Sequence, residues 1–235
     1  MNDASSAPKS LAQVAMDAVN AYIRDEQLRV GDTLPGEGYF AERLGVSRAV
    51  MREAFGALAA LKLIDVGNGR KPRVGALDGS VIAASLDHAI STAQIRVIDV
   101  WDVRRTIEMR TAALAAQHAS ETQIKRIVAL ADMLALAGPD DPATTETDID
   151  FHLAIAEASG NRLFQQIVVS FLPLMRVAVP QAWRTRQTTA DRTETIARHQ
   201  RLAEAIAAGD PAEAERWMAT HFDETIGALL RSKGS

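Results

Sequence analysis

Apolar positions recur at helical spacing almost from the start of this chain. Leu11, Val14, Ala15, Ala18, Val19, Tyr22 and Ile23 follow Ser10, a good N-cap residue, and predict a first helix. After Gly31-Asp32 and Leu34-Pro35, a shorter stretch from Glu37 through Phe40, Ala41 and Leu44 stops at Gly45, the residue type that takes a positive φ at a helix end. Ser47 is placed to cap a third helix, with Val46 and Met51 as its hydrophobic staple. On that helix Met51, Ala54, Phe55 and Leu58 share one face, while Arg48 and Arg52 share another. It therefore has a core side and a basic side. Beyond Leu63 the period shortens to Ile64-Asp65-Val66 and Arg73-Val74 around Gly67-Asn68-Gly69-Arg70-Lys71-Pro72, which predicts a small β-hairpin, or wing.

From Gly75 to Gly79 nothing periodic occurs, and the domain boundary is expected there. The remainder reads as helices only, seven of them, near 79 to 91, 95 to 118, 120 to 137, 142 to 159, 161 to 187, 190 to 208 and 210 to 231. Asp141-Pro142 predicts a cap with Pro at the first helical position, Ser159-Gly160 a stop, and Gly209-Asp210-Pro211-Ala212-Glu213 a stop, a cap, an N1 proline and a capping-box Glu. The expected fold is mainly α: an N-terminal winged helix-turn-helix domain over 1–75, a linker and first helix over 76–94, and a C-terminal all-α domain over 95–235. The linker helix and the later helices together make the seven-helix bundle.

Composition supports a folded protein and removes several chemistries. With 47% apolar and 24% charged residues in 235, the chain can bury a real core. It has no cysteine, so disulfides, zinc-thiolate sites and a cysteine nucleophile are excluded, and a metal would have to sit on His and carboxylate. The first residues lack an apolar signal core, and no run reaches the roughly 18 to 20 apolar residues of a membrane span, so a cytoplasmic protein is expected. The net charge of −4 argues against a nucleic-acid partner, but it hides a reversal. Residues 1 to 75 hold 10 basic and 9 acidic side chains, against 16 and 21 in the rest. Two surfaces with two partners fit that split.

Two helices joined through Leu44-Gly45-Val46-Ser47, the second with Arg near its start, form the arrangement that lays a recognition helix in the major groove. Arg48 and Arg52 would reach phosphates or guanine edges, and Arg70, Lys71 and Arg73 of the wing would follow the backbone or enter the adjacent minor groove. On spacing alone a solvated surface helix stays open as the alternative. Gly31 to Glu37, Ala41 to Arg48, and Met51-Arg52-Glu53-Ala54 with Leu58 resemble the signature of the GntR family of bacterial transcription regulators. The resemblance implies DNA contacts from Arg43, Ser47, Arg48, Arg52, Gly69, Arg70 and Lys71. Where the family commonly has an Arg after the Glu of its motif, this chain has Gly38.

Three of the five histidines lie in the last 85 residues, each on the apolar side of a different helix. Asp148 and His152 stand at i and i+4, a two-ligand clamp, while His199 stands above Leu202 and Ile206 and His221 follows Trp217 and Met218. Either they converge on a shared divalent metal or each is a separately satisfied core histidine; spacing leaves both open. His88 and His118 have no partner at useful spacing. Residues 95 to 231 resemble the FCD-type effector domain of the FadR subgroup, through Val103-Arg104 and Glu108, Asp148-x-x-x-His152, Ala158-Ser159-Gly160-Asn161, His199 and His221. The resemblance implies that Asp148, His152, His199 and His221 bind one divalent metal per chain (zinc, nickel, manganese or iron). It also implies that Arg104 anchors a carboxylate effector, a sugar acid or hydroxy acid. Arg105 and Arg110 compete with Arg104, whose alternative role is a surface salt bridge to Glu108. Asn161 reads as an N-cap, and Trp183 and Arg184 as packing and solvation.

The expected protein is a homodimeric regulator that reads an inverted-repeat operator and responds to an organic acid bound at the metal. Two rivals stay open here: a metal-dependent hydrolase-like enzyme, against which no spare inward acid or histidine offers a general base, and a regulator that senses the ion itself.

Overall fold

The computed structural model describes residues 9–67, 69–136, 142–186 and 188–233, and the cap expected at Asp141 lies outside them. The chain divides into two compact units, Met1–Val81 and Ile82–Ser235.

The first unit contains α1 (Leu11–Asp25), α2 (Glu37–Leu44), α3 (Arg48–Ala60), β1 (Ile64–Asp65) and β2 (Arg73–Val74). The local signals act as the residue types dictate. Ser10 and Ser47 accept from the backbone N–H groups of Gln13 and Val50, and Gly45 ends α2 at φ +65°. Val19, Leu34, Phe40, Met51, Phe55, Leu58 and Ile64 form one core, with Val46 packed against it beside Met51 as the staple requires. The two strands pair antiparallel, Ile64 with Val74 and Asp65 with Arg73, and Thr33 adds a bridge to Arg73. This third segment, 31 to 34, ties the wing to the helices: Gly31 N–H donates to the Val74 carbonyl, Val74 N–H to Asp32, and Leu34 N–H to Pro72. Gly75 is required by a close approach, since a Cβ there would stand 2.1 Å from the Lys62 carbonyl oxygen.

The second unit is all helical. Its elements are α4 (Ser80–Ser91, whose first residues precede the division), α5 (Val97–His118), α6 (Glu121–Leu136), α7 (Pro142–Ala158), α8 (Arg162–Ser170), α9 (Leu172–Arg184), α10 (Thr189–Ala207) and α11 (Pro211–Lys233). Among the described residues these are eight helices rather than seven. The single helix expected over 161 to 187 is two, α8 and α9, meeting at Phe171 with a bend of 62°. Pro173 explains the break: it has no N–H for the Val169 carbonyl, and its ring crowds that carbonyl. Pro180 sits inside α9 without ending it. Gly160 at φ +71° and Asn161, whose Oδ1 accepts from the Leu163 and Phe164 N–H groups, separate α7 from α8. At the last joint Asp210 caps α11 through Ala212 and Glu213. Glu213 does not close the expected capping box; it pairs with Arg216, and the Asp210 N–H goes to the Ala205 carbonyl instead.

Alanines let these helices approach closely. Ala112, Ala115, Ala154, Ala158, Ala203 and Ala214 are nearly fully buried and alternate with Phe151, Ile155, Leu202, Ile206, Met218 and Phe222 in the main core. A second cluster, Val100, Leu134, Ile149, Phe171, Met175, Val179 and Trp183, fills the space under α9. Among the described residues no single helix is long and apolar enough to cross a membrane.

Candidate functional site

The first unit offers a basic face. Its core positions on α3 are buried, and this leaves Ser47, Arg48, Ala49, Arg52 and Glu53 on the solvent side of the helix's first turns. Arg48 is exposed, and among the described residues Arg52 is held only by a long contact to Glu37 at 3.9 Å. Arg43 on α2 donates to the Tyr39 hydroxyl at 3.0 Å, which fixes its direction while leaving it exposed. In the wing Gly69, at φ +72°, Arg70 and Lys71 are all exposed, and Arg70 contacts Asp65. Gly38 is exposed inside α2, and nothing lies within 4 Å of the Cβ it lacks.

The second unit holds a buried polar cluster. Along α5, Trp101, Arg104, Glu108, Thr111, Ala112 and Ala115 form one stripe facing the core. Across from it α7 presents Asp148 and His152, α10 presents His199, and α11 presents His221, each at most 6% exposed. The ligand atoms of the three histidines lie within 4.8 Å of one another, a spacing that suits one shared ion. Asp148 completes the group, with Oδ1 3.2 Å from His199 Nε2 and Oδ2 3.9 Å from His152 Nε2.

The ring nitrogens turned away from this point show how the cluster is oriented. His199 Nδ1 lies 2.8 Å from the Thr195 carbonyl oxygen, which can only accept, so Nδ1 carries the proton. In the neutral ring Nε2 is then a bare lone pair. It faces the Asp148 carboxylate and has no hydrogen-bond partner among the described residues. Two electron-rich atoms at that distance need a cation between them or a proton on the ring. His152 is oriented the same way, its Nδ1 against Glu108 Oε2. A carbonyl and a carboxylate behind the rings are what metal-ligating histidines use to fix their tautomer. Burial, and after it the positive charge of His199, His152, Arg186 and Arg198, keeps the pKa of His221 well below its ordinary value, so this ring is neutral and able to ligate. Burial alone would raise the Asp148 pKa. With a proton on the ring rather than a cation between them, the hydrogen bond from His199 and the charges of His199, His152 and Arg186 outweigh it and hold that pKa at about 2. The donor set therefore fits a divalent metal.

Arg104 is not in a surface salt bridge. It is 1% exposed, stacked 4.7 Å from the Trp101 ring and 5.2 Å from Phe222, with Nε donating to Glu108 at 2.9 Å. Its Nη1 has no partner among the described residues. Its competitors fall away, because Arg105 forks onto Asp223 and Arg110 is exposed. Glu108 is the inward acid that the sequence reading did not find, joining Arg104 to His152. Burial opposes its charge, but Arg104 and His152 outweigh it and lower its pKa, so it is a poor general base near neutral pH. Arg186, also missed, lies between α9 and α10 and lines the same small cavity as Arg104, Asp148, His152, Trp183 and His221. Trp183 edges that cavity, whereas Arg184 is exposed. The free space is about 10 Å³, room for roughly one water.

Comparison with known proteins returns two family matches. Residues 11–74 match "Bacterial regulatory proteins, gntR family" and residues 99–224 match the FCD domain. The HTH-type transcriptional regulator LutR of Bacillus subtilis is 28% identical over 211 residues, covering 88% of this chain and 95% of that protein. The HTH-type transcriptional repressor NanR of Cronobacter sakazakii is 26% identical over 238 residues, covering 97% and 90%. Among solved structures, Streptococcus agalactiae GntR superposes with a TM-score of 0.61 at 22% identity, covering 91% of this chain and 98% of that one, a likeness of fold.

Proposed function

The chain belongs to the gntR family of bacterial regulatory proteins and carries an FCD domain, so it is a DNA-binding transcription regulator and not an enzyme; we propose that it is a cytoplasmic homodimeric repressor whose operator affinity is set by an organic acid bound at a metal. In this reading residues 1–75 read an inverted repeat, 76–94 form the linker and first helix, and 95–235 hold the metal, the effector and the dimer contacts. Arg48 and Arg52 address base edges and phosphates from α3, Arg43 and Ser47 the adjoining backbone, and Gly69, Arg70 and Lys71 the backbone beside the wing. Repression is the role that NanR's name gives that relative.

Asp148, His152, His199 and His221 hold one divalent ion per chain, zinc, nickel, manganese or iron. Bound there, the ion supplies a Lewis-acidic centre whose remaining positions suit a carboxylate and a neighbouring hydroxyl of a sugar acid or hydroxy acid. The protein's own groups do the orienting. Thr195 and Glu108 turn two imidazoles inward, and the rings of Trp101 and Phe222 hold the Arg104 guanidinium with one nitrogen free for a carboxylate. An acid bound there changes operator affinity only as far as it binds two arrangements of the protein unequally.

The observation that carries the metal reading is His199: its proton is committed to a carbonyl, and its bare nitrogen faces a buried carboxylate. Elemental analysis of protein purified without chelator is expected to find about one divalent ion per chain, lost when His199 and His221 are both changed to Ala. A metal-free protein of unchanged stability that still answers its effector in a gel shift would return these histidines to the core.

A further inference from the structure

We propose that Arg186 is a second anion-binding residue of this pocket and that the effector it selects is dianionic, a dicarboxylate or an acid of equivalent charge. The inference rests on the metal-and-acid reading above and narrows it. Arg186 is 7% exposed and lies 4.9 Å over the Trp183 ring. Its Nε donates to Thr195 Oγ1 at 2.7 Å and its Nη2 to Thr225 Oγ1 at 3.2 Å. Both hydroxyls are neutral and spend their own protons on the carbonyls of Asp191 and His221. Nη1 meets no acceptor among the described residues. A buried guanidinium with only neutral partners and an unfilled position is costly unless an anion comes to it. Arg104 shows the same unfilled position from α5, so one cavity has two incomplete forks, one on α5 and one in the connection after α9.

The charges point the same way. Arg104 and Arg186 are balanced by Glu108 and Asp148, all at most 7% exposed, and Arg198 lies 3.7 Å from Glu194, an acid it shares with Arg201 at 3.6 Å. The buried set is therefore neutral without metal, and a divalent ion on neutral imidazoles adds two positive charges away from water. A dianion cancels them, and a monocarboxylate leaves one. Because the free space is about 10 Å³, an acid larger than a water enters only by displacing lining side chains, which favours short acids.

The test titrates the full-length, zinc-loaded protein with acids matched in skeleton and unequal in charge: malate against 3-hydroxybutyrate, succinate against butyrate, and galactarate against galactonate. In at least one pair the dianion is expected to bind about tenfold or more tighter, the value of a charge-assisted contact. Arg186→Gln should bring the dianion down to its partner's affinity with zinc stoichiometry intact, and Arg186→Lys should keep part of the preference. Zinc bound by the parent, with no dianion preferred in any pair, overturns the proposal, as it would if metal-bound hydroxide supplied one of the charges. A preference that Arg186→Gln leaves unchanged while zinc is bound also overturns it. Failure of the parent to bind zinc refutes the metal reading beneath, and this proposal with it.

Discussion

Glu108→Ala is the substitution with the most to say about the second unit. Glu108 is 0% exposed and holds two groups at once: Arg104 Nε at 2.9 Å on one oxygen and His152 Nδ1 on the other. Removing the carboxylate strands a guanidinium that is 1% exposed, with only the faces of Trp101 and Phe222 beside it. Breaking one side of a buried ion pair costs about 3–5 kcal/mol. The aromatic contacts persist in the variant and offset none of the loss. Measured against a domain stability of about 5–15 kcal/mol, this is a large fraction. Removing both charges, Arg104→Met with Glu108→Leu, leaves only the His152 nitrogen without its acceptor. That should cost about 1–3 kcal/mol, less than the single change. The assay is urea unfolding in the presence of chelator, followed by tryptophan fluorescence. All three tryptophans, Trp101, Trp183 and Trp217, lie in the second unit, so the signal reports that unit alone. A single variant within about 1 kcal/mol of the parent, or a double variant less stable than the single, would refute the argument that this pair is a buried, mutually dependent one.

Much of the first unit was legible because its signals are local. Ser10, Ser47 and Gly45 act within three or four residues of themselves, and nothing distant competes with them. The 31 to 34 segment was not legible as a partner of the wing, since its bridge at Thr33 is a pairing made across some forty residues of chain. In the second unit the two prolines of the 161 to 187 stretch look alike in sequence and act differently: Pro173 marks a break and Pro180 is absorbed. Glu213 shows the limit of a local rule, because an Arg three residues on offers its carboxylate a stronger, charged partner than a backbone N–H.

The candidate site was legible where one helical turn aligns two residues, as at Asp148 and His152. The convergence of α10 and α11 on that pair is tertiary; spacing left it open beside the core-histidine reading, and the resemblance favoured it. Glu108 carried a signal that could have been read: with Trp101, Arg104, Thr111 and Ala115 it lies on the core-facing stripe of α5, where a charged residue needs a buried partner. Arg186 carried none: it fell at the end of the stretch read as one helix to 187, whereas it sits in the connection after α9, where helical periodicity says nothing of its direction.

Three further outcomes are expected. Arg52→Ala should weaken operator binding by about 1–3 kcal/mol without unfolding the first unit, since among the described residues its only tie is the 3.9 Å contact to Glu37; equal affinity in a gel shift at fixed salt would remove it from the interface. Gly38→Arg should stabilise the first unit by about 0.5–1 kcal/mol, because a helical glycine with open space around its missing Cβ loses only its entropic cost. If α2 faces the DNA, the same change also steepens the slope of log affinity against log salt by about 0.9; calorimetry and the salt titration check the two parts separately. The last expectation concerns pH in the metal-free protein. His221 is buried and surrounded by His199, His152, Arg186 and Arg198, which keeps its folded pKa well below the ordinary value. Below about pH 6.5 the unfolded chain takes up a proton there that the folded one refuses, so stability is complete above that pH and falls as pH drops through it. Asp148, held at about 2, stays ionised in both states until the pH approaches about 3.9 and adds nothing in this window. Urea midpoints by tryptophan fluorescence in chelator should therefore decline from pH 8 to pH 5.5, and His221→Gln should flatten the decline. A parent curve that is already flat would mean that His221 titrates alike in the folded and unfolded chain, and the argument that burial and its cationic neighbours hold it neutral would fail.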